Sequence, residues 1–311
     1  MQSVIKVSHL SKQFKNFHAV SDLSFSVNQG DVYGFLGQNG AGKSTTIRML
    51  MTLVEPTSGS IELFGLPLKT HRTEILRQVG AVIEKPDVYK YLSAYENVKL
   101  FAKLSGVKVT DKLIMDQLEM VGLAQRAKDV VKTFSQGMKQ RLGIGIALVH
   151  DPQLIVLDEP TNGLDPQGIA DIRNLILHLS REMNKTVVVS SHLLNEIEQV
   201  ATRVLIIDKG KKLIEGNANE LFDPAQTIVE IETTNNQAAI IQIQQSIWQS
   251  NLQPQRNSNV FLKLDRQAIP QLHRDLVAMD ISIISLQPRH SLEDYFLQIT
   301  SNNQHVQAYT N

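Results

Sequence analysis

The sequence predicts an α/β core followed by a smaller α+β domain, and three observations support this. Short, continuous apolar runs alternate with helical patterns over the first part of the chain, as buried parallel strands and their crossover helices do. One of these runs leads through a glycine-rich segment into a helical pattern. All 17 glycines lie at or before Gly216. The residues beyond it therefore form their turns without the backbone freedom of glycine, which indicates a separate domain. We therefore expect one domain over residues 1–216 and an accessory domain over residues 217–311.

The apolar runs at residues 31–36, 154–157 and 186–190 are the expected parallel strands of the core. Residues 99–132 read as mostly helical and interrupt the alternation, which predicts a helical subdomain inserted at about residues 85–150. Ser93 and Glu96 have the spacing of a capping box at the start of a helix.

The accessory domain shows three strand patterns alternating with three helical ones. We expect strands at residues 228–232, 260–264 and 281–286, and helices at residues 237–249, 268–279 and 292–299.

Composition excludes several classes of protein. The 311 residues suggest about two domains. The 31 Lys and Arg balance the 31 Asp and Glu, which argues against a broadly basic nucleic-acid binder. With no cysteine, disulfides, thiolate metal sites and cysteine nucleophiles are excluded. The chain has neither a signal-peptide core nor an apolar run near the roughly 20 residues that span a bilayer, so we expect a cytoplasmic chain.

The glycine-rich segment after the first expected core strand matches the phosphate-loop pattern G-x-x-x-x-G-K-[ST]. Its residues are Gly37, Gln38, Asn39, Gly40, Ala41, Gly42, Lys43, Ser44 and Thr45. Backbone N–H groups and a helix N-terminus can surround a phosphate there, while Lys43 reaches the β- and γ-phosphates and Ser44 ligates Mg²⁺. The alternative is a glycine-rich turn that binds no nucleotide.

The run at residues 154–157 ends in two carboxylates, which places them at the carboxyl edge of the sheet, where doubly wound folds bind ligands. We expect Asp158 to hold Mg²⁺ and Glu159 to act as general base on the water that attacks the γ-phosphate. The alternative for such a pair is helix capping or a solvated turn.

Five motifs in order resemble those of an ABC-transporter ATPase subunit over roughly residues 3–216. They are the phosphate loop, the segment 134–141 (FSQGMKQR), the segment 154–160 (LIVLDEP), the segment 162–165 (NGLD) and the segment 190–192 (SSH). The resemblance implies a P-loop NTPase fold of the ABC type with ATP and Mg²⁺ as cofactors. It also implies two such domains arranged head to tail, with each nucleotide between the phosphate loop of one subunit and the signature segment 134–138 of the other.

The resemblance also implies roles for individual residues. Ser135, Gln136 and Gly137 would contact the nucleotide across the dimer interface, and Asp165 would couple the two sites. His192 would hold the γ-phosphate and the water within its own subunit. Phe14 matches the aromatic residue that stacks on adenine, with core packing as the alternative.

Two departures from the usual motifs of this family narrow the resemblance to one group of its members. The signature usually reads LSGGQ, whereas Phe134, Gln136 and Met138 stand at three of its positions here. The glutamine that usually contacts Mg²⁺ is replaced by Glu84, whose oxygen can still ligate the ion. With the tyrosine, glutamate and asparagine at positions 95–97, these features resemble exporters that give resistance to bacitracin and lantibiotic peptides. The alternative for Glu84 is a surface glutamate before a proline.

The resemblance implies a separate membrane permease as partner, a second copy of the chain, and a peripheral location on the inner face of the cell membrane. Candidate permease contacts are Val88, Tyr89, Tyr91 and Leu92. Residues 288–296 resemble the end of the accessory domain found on ATPases of two-component exporters. The alternative function is an ABC ATPase acting on ribosomes or DNA, but the acidic accessory domain argues against nucleic-acid contact.

Overall fold

The computed structural model describes residues 2–222, 227–254 and 259–290. The chain divides into two compact units, Met1–Ala218 and Asn219–Asn311, so the expected boundary after Gly216 lies two residues before the division. Within the described residues, no helix is both long enough and apolar enough to cross a membrane.

The first unit contains, in chain order, β1 (Ser3–Phe14), β2 (Phe17–Asn28), β3 (Val32–Leu36), α1 (Lys43–Leu50), β4 (Ser58–Leu63), β5 (Leu66–Pro67), α2 (Arg72–Leu76), β6 (Val79–Val82), α3 (Ala94–Leu104), α4 (Asp111–Met120), α5 (Gln136–Leu148), β7 (Leu154–Leu157), α6 (Pro166–Arg181), β8 (Thr186–Ser191), α7 (Leu194–Glu198), β9 (Arg203–Asp208) and β10 (Lys211–Asn217). Helix α8 (Ala218–Leu221) crosses the division, and the second unit continues with β11 (Thr227–Thr233), α9 (Asn236–Gln244), β12 (Val260–Leu264), α10 (Ile269–Ala278) and β13 (Ile283–His290).

The larger sheet of the first unit has the strand order β10-β9-β3-β8-β7-β6. All its strand pairs are parallel except β9 with β10. Strands β3, β7 and β8 are buried along their whole length, which explains the continuous apolar runs they contain, although β8 ends in two buried serines. Because β8 lies between β3 and β7, the segments that follow these three strands meet at one edge of the sheet. The predicted α/β core is confirmed.

A second, antiparallel sheet has the order β2-β1-β4-β5 and shares a hydrophobic core with the larger sheet. The ring of Phe25 on β2 lies 5.9 Å from that of Tyr33 and 5.8 Å from that of Phe35, both on β3. This sheet was not predicted from the sequence. Register shifts between β1 and β2 interrupt the strict alternation that marks a half-buried strand.

The predicted helical insertion lies between β6 and β7 and consists of α3, α4 and α5. The stretch 99–132 is less continuous than predicted, because residues 105–110 separate α3 from α4 and short 3₁₀ turns follow α4. The capping box is confirmed at α3. The Ser93 hydroxyl accepts from the N–H of Glu96, and the Glu96 carboxylate accepts from the N–H of Ser93.

The second unit has a three-stranded sheet of order β12-β11-β13 that packs against α9 and α10. The helix predicted at 237–249 ends at Gln244. The hydroxyl of Ser246 bonds back to the carbonyl of Ile243 and accepts the N–H of Trp248. The chain therefore turns, and the indole of Trp248 lies in the core and donates to Asp275 at 2.9 Å. The helix predicted at 292–299 lies outside the described residues.

Candidate active site

The predicted phosphate loop, residues 37–45, connects β3 to the first turn of α1. Gly40 and Gly42 adopt φ angles of +82° and +105°, which favour glycine. A Cβ on Gly42 would lie 2.5 Å from the carbonyl oxygen of Ala19, so a larger residue does not fit there. No side chain caps the N-terminus of α1. The first backbone N–H groups of the helix are therefore available to an anion.

Lys43, the first residue of α1, is a buried cation with only 5% of its side chain exposed. Its ammonium donates to the carbonyl oxygens of Gly37 at 2.7 Å and Gln38 at 3.2 Å. It also lies 3.0 Å from Oε1 of Glu159. The three N–H groups of the ammonium thus face three oxygens. A phosphate bound in the loop would have to replace some of these contacts.

Asp158 and Glu159 follow β7, as the sequence predicts, and their carboxylates face different partners. Asp158 is 1% exposed, and its Oδ1 accepts a hydrogen bond from the Ser190 hydroxyl at 2.6 Å. The other oxygen, Oδ2, is buried without a hydrogen-bond partner. A buried, unpartnered carboxylate oxygen is costly unless a cation or a water completes its shell. Asp158 therefore fits the proposed magnesium ligation.

Glu159 joins the phosphate loop to the segment after β8. While Oε1 contacts Lys43, Oε2 lies 2.7 Å from Nδ1 of His192. The Glu159 backbone has a φ of +49°, an uncommon conformation for a residue other than glycine, and its N–H donates to the Ser190 hydroxyl at 2.8 Å. Residues from three segments far apart in sequence thus meet at one carboxylate.

Ser190 contributes to this site, although its role was not predicted from the sequence. Its hydroxyl donates to the Asp158 carboxylate and accepts the N–H of Glu159, so it orients both acidic residues. The available signal in the sequence is its place at the end of a predicted strand, two residues before His192. That signal does not show which neighbouring strand the hydroxyl would face.

Glu84, the predicted magnesium ligand, follows β6 and forms an ion pair with an arginine. Its carboxylate forms an ion pair with the guanidinium of Arg48, in the last turn of α1, and 59% of its side chain is exposed. Among the described residues, no group of three or more acidic or histidine side chains is arranged to hold a metal ion. Arg48 lies four residues after Ser44, on the same face of α1. The metal roles of Glu84 and Ser44 stay predictions.

Phe14 lies at the end of β1, paired with Phe17 across the hairpin. Its ring is 45% exposed, so it does not pack in the core, and the ammonium of Lys12 lies 4.9 Å from the ring centroid. The ring is therefore available for stacking, and its contact with adenine stays a prediction.

The signature segment begins α5, where the Ser135 hydroxyl caps the helix by accepting the N–H of Met138 at 3.2 Å. The Gln136 side chain donates to the carbonyl oxygen of Asn162 at 3.1 Å. Asp165 caps α6 by accepting the N–H of Gly168 at 3.1 Å. The contacts described for these side chains are not with Lys43 or Glu159. The roles predicted for Ser135, Gln136, Gly137 and Asp165 stay predictions.

Comparison with known proteins shows that the chain is similar to the ATP-binding proteins of transporters. A family model described as ABC transporter matches residues 20–162. The bacitracin transport ATP-binding protein BcrA of Bacillus licheniformis is 41% identical over 302 residues, which cover 96% of this chain and 98% of that protein. The lantibiotic transport ATP-binding protein SrtF of Streptococcus pyogenes is 41% identical over 226 residues, which cover 71% of this chain and 96% of that protein.

A solved dimeric ATP-binding cassette in a post-hydrolysis state, bound to ADP and Pi, resembles the fold with a TM-score of 0.63. It is 25% identical in sequence, and the match covers 69% of this chain and 98% of that one. The alignment with BcrA is too long to be confined to the first unit, so the second unit is part of that likeness.

Proposed function

Because this chain belongs to the ABC transporter ATP-binding family, we propose that it is the ATP-hydrolysing subunit of an exporter for peptide antibiotics. The ATPase activity rests on one observation above all. The Glu159 carboxylate, at the end of β7, contacts both the phosphate-loop lysine Lys43 and His192. The residues proposed as the base, the phosphate-binding cation and the contact to the γ-phosphate thus lie together, which supports the proposal.

ATP would bind with its phosphates in the loop 37–45 and its adenine on the Phe14 ring. Lys43 would exchange its contact with Glu159 for the β- and γ-phosphate oxygens, which frees the carboxylate to accept a proton from the attacking water. His192, bonded to the other carboxylate oxygen, would fix the orientation of that base and contact the γ-phosphate. Preorganised groups of this kind lower the barrier because they need little rearrangement during the reaction.

Magnesium would be held by Asp158, through its unpartnered Oδ2, and by the Ser44 hydroxyl, with Glu84 as a further oxygen ligand. Bound there, the ion would neutralise charge on the β- and γ-phosphates. Glu84 must leave Arg48 to take part, and the spacing of Ser44 and Arg48 makes this a movement of about one helical turn along α1.

A second copy of the chain would supply Ser135, Gln136 and Gly137 to each nucleotide, and Asp165 would lie between the two sites. The N-terminus of α5 favours this role, because it is a helix of 13 residues with no acidic residue in its first turn. Closure on ATP and opening after hydrolysis would then provide the movement that drives transport.

The partner would be a separate permease in the cell membrane, which would place the chain on the inner face of that membrane. Tyr89 and Tyr91, 55% and 82% exposed, are the candidate contacts in the segment before α3. Bacitracin and lantibiotic peptides are the proposed cargo, because the relatives named above transport them. These relatives favour transport over the alternative action on ribosomes or DNA.

The proposal is tested by purifying the tagged chain from membranes of its source cells, identifying the membrane protein that co-purifies, and expressing both in a sensitive host. Wild-type chain with permease should raise tolerance to bacitracin or a lantibiotic, and Glu159→Gln with permease should not. Unchanged tolerance to both peptides, with ATP hydrolysis intact, would contradict the cargo. Salt-sensitive association with ribosomes would favour the alternative.

A further inference from the structure

Glu196, on α7, makes two hydrogen bonds that the proposed chemistry does not explain. Its Oε2 accepts from the hydroxyl of Thr161 at 2.7 Å and from the hydroxyl of Ser191 at 2.9 Å. Thr161 follows the acidic pair at the end of β7, and Ser191 is the last residue of β8. One carboxylate oxygen therefore ties together the segments that leave two adjacent strands.

Each of these hydroxyl residues is closely linked to a residue of the active site. Thr161 lies within a turn in which the N–H of Asn162 donates to the carbonyl of Glu159 at 3.1 Å. Ser191 precedes His192, and its hydroxyl also accepts the N–H of Leu193 at 3.0 Å, which encloses His192 in a tight turn. The position of each turn thus affects one member of the Glu159–His192 pair.

The two segments are also joined at their strand ends, where the Ser190 hydroxyl accepts the N–H of Glu159 at 2.8 Å. Beyond that contact they are not fully packed against each other. A cavity of about 30 Å³ lies between them, with Pro160, Thr161, Ser191 and Glu196 in its lining. Close-packed interiors have few voids of this size, and side chains that border one lose contacts on that side. The hydrogen bonds of Glu196 to Thr161 and Ser191 add a second polar connection between the segments, at the side of this gap.

We propose that Glu196 is a positioning residue that sets the 2.7 Å contact between Glu159 and His192. Removing its carboxylate would leave two hydroxyls without their acceptor and would leave the turns that carry the base and the histidine connected only through the contacts of Ser190 and of the Glu159–His192 pair itself. The inference rests on the proposed ATPase role of Glu159. Misplacement of a catalytic group by about 1 Å can cost on the order of 10²-fold in rate.

The experiment compares Glu196→Ala, Glu196→Gln and the control Asn195→Ala in the full-length chain. The amide oxygen of glutamine can still accept both hydroxyl hydrogen bonds, whereas Asn195 is an exposed neighbour on the same helix. Glu196→Ala should lower kcat about 100-fold with the dissociation constant for ATP within about threefold of wild type. Glu196→Gln should lose less than about tenfold in kcat, and Asn195→Ala should match wild type.

Hydrogen exchange provides a readout that does not depend on activity. In Glu196→Ala, peptides covering residues 159–164 and 190–194 should exchange faster, while Glu196→Gln should protect both. If Glu196→Ala does not fold, Thr161→Val removes one of the two bonds and should show the same pattern to a smaller extent.

Three results would overturn the inference. They are a kcat of Glu196→Ala within about threefold of wild type, equal losses in the alanine and glutamine variants, and loss of ATP affinity in parallel with kcat. If the wild-type chain itself did not hydrolyse ATP, the proposed function would fail, and hydrogen exchange would still decide whether Glu196 connects the two turns.

Discussion

Replacing Glu159 by glutamine should abolish ATP turnover while leaving ATP binding intact. The side chains are nearly equal in size, but the amide cannot accept a proton from water. In the structure Oε1 faces Lys43 and Oε2 faces His192. Because the lysine ammonium only donates hydrogen bonds, the amide oxygen must face Lys43, and the NH₂ group then replaces an acceptor opposite His192.

The expected loss has two sources, the missing base and the altered contact with the histidine. General-base catalysis contributes about 10² to 10⁴ in rate. At roughly 1.4 kcal/mol per tenfold, this corresponds to about 3 to 6 kcal/mol of transition-state stabilisation. Affinity for ATP should be equal or higher, because Lys43 loses an anionic partner that competes with the phosphates.

Phosphate release and ATP binding are measured on the purified chain, with Glu182→Gln as the matched control, since Glu182 is exposed and pairs only with a surface histidine in the contacts described. The Glu159→Gln protein should also elute as a dimer in ATP. The proposed dimer closes on ATP and opens after hydrolysis, which this variant should not perform. Turnover above about a tenth of the wild-type rate would refute the general-base role. Loss of ATP affinity would refute the geometry argued for Lys43.

Lys43→Ala should weaken ATP binding about 10- to 100-fold by calorimetry, because charge-assisted hydrogen bonds contribute about 1.5–3 kcal/mol each, and an unchanged titration would remove the phosphate-loop assignment. A chain ended after Ala218 retains the bond from the Ala218 N–H to the carbonyl of Thr202 and every predicted nucleotide residue. It should bind ATP within about threefold of the full chain, and a folded truncation without ATP binding would show that the second unit is needed for the site. Glu84→Gln should keep ATP binding but lower peptide tolerance in cells with the permease, and Glu84→Ala should be worse in both. If both variants match wild type, Glu84 is a surface partner of Arg48, where substitutions usually change stability by no more than about 0.5 kcal/mol.

Local sequence patterns were sufficient for the core strands and the phosphate loop. Strands β3, β7 and β8 are buried over their whole length and carry continuous apolar runs, so their sequences stand out without any knowledge of their neighbours, although β8 ends in two serines. The loop pattern depends on glycines at fixed spacing, and the left-handed angle of Gly42 shows why. The end of α9 was predicted five residues too late, because the turn at Ser246 depends on where Trp248 packs.

The contacts that make these motifs an active site were decided only by the tertiary structure. The sequence by itself was sufficient to predict chemical roles for Lys43, Asp158, Glu159 and His192, since each belongs to a motif whose residues are neighbours along the chain. It did not determine that Ser190 orients the acidic pair or that Glu196 ties two turns together. It also did not determine that Glu84 pairs with Arg48. The contacts of Ser190 and Glu196 follow from the placement of β8 beside β7, because the segments that leave neighbouring parallel strands meet at one edge of the sheet.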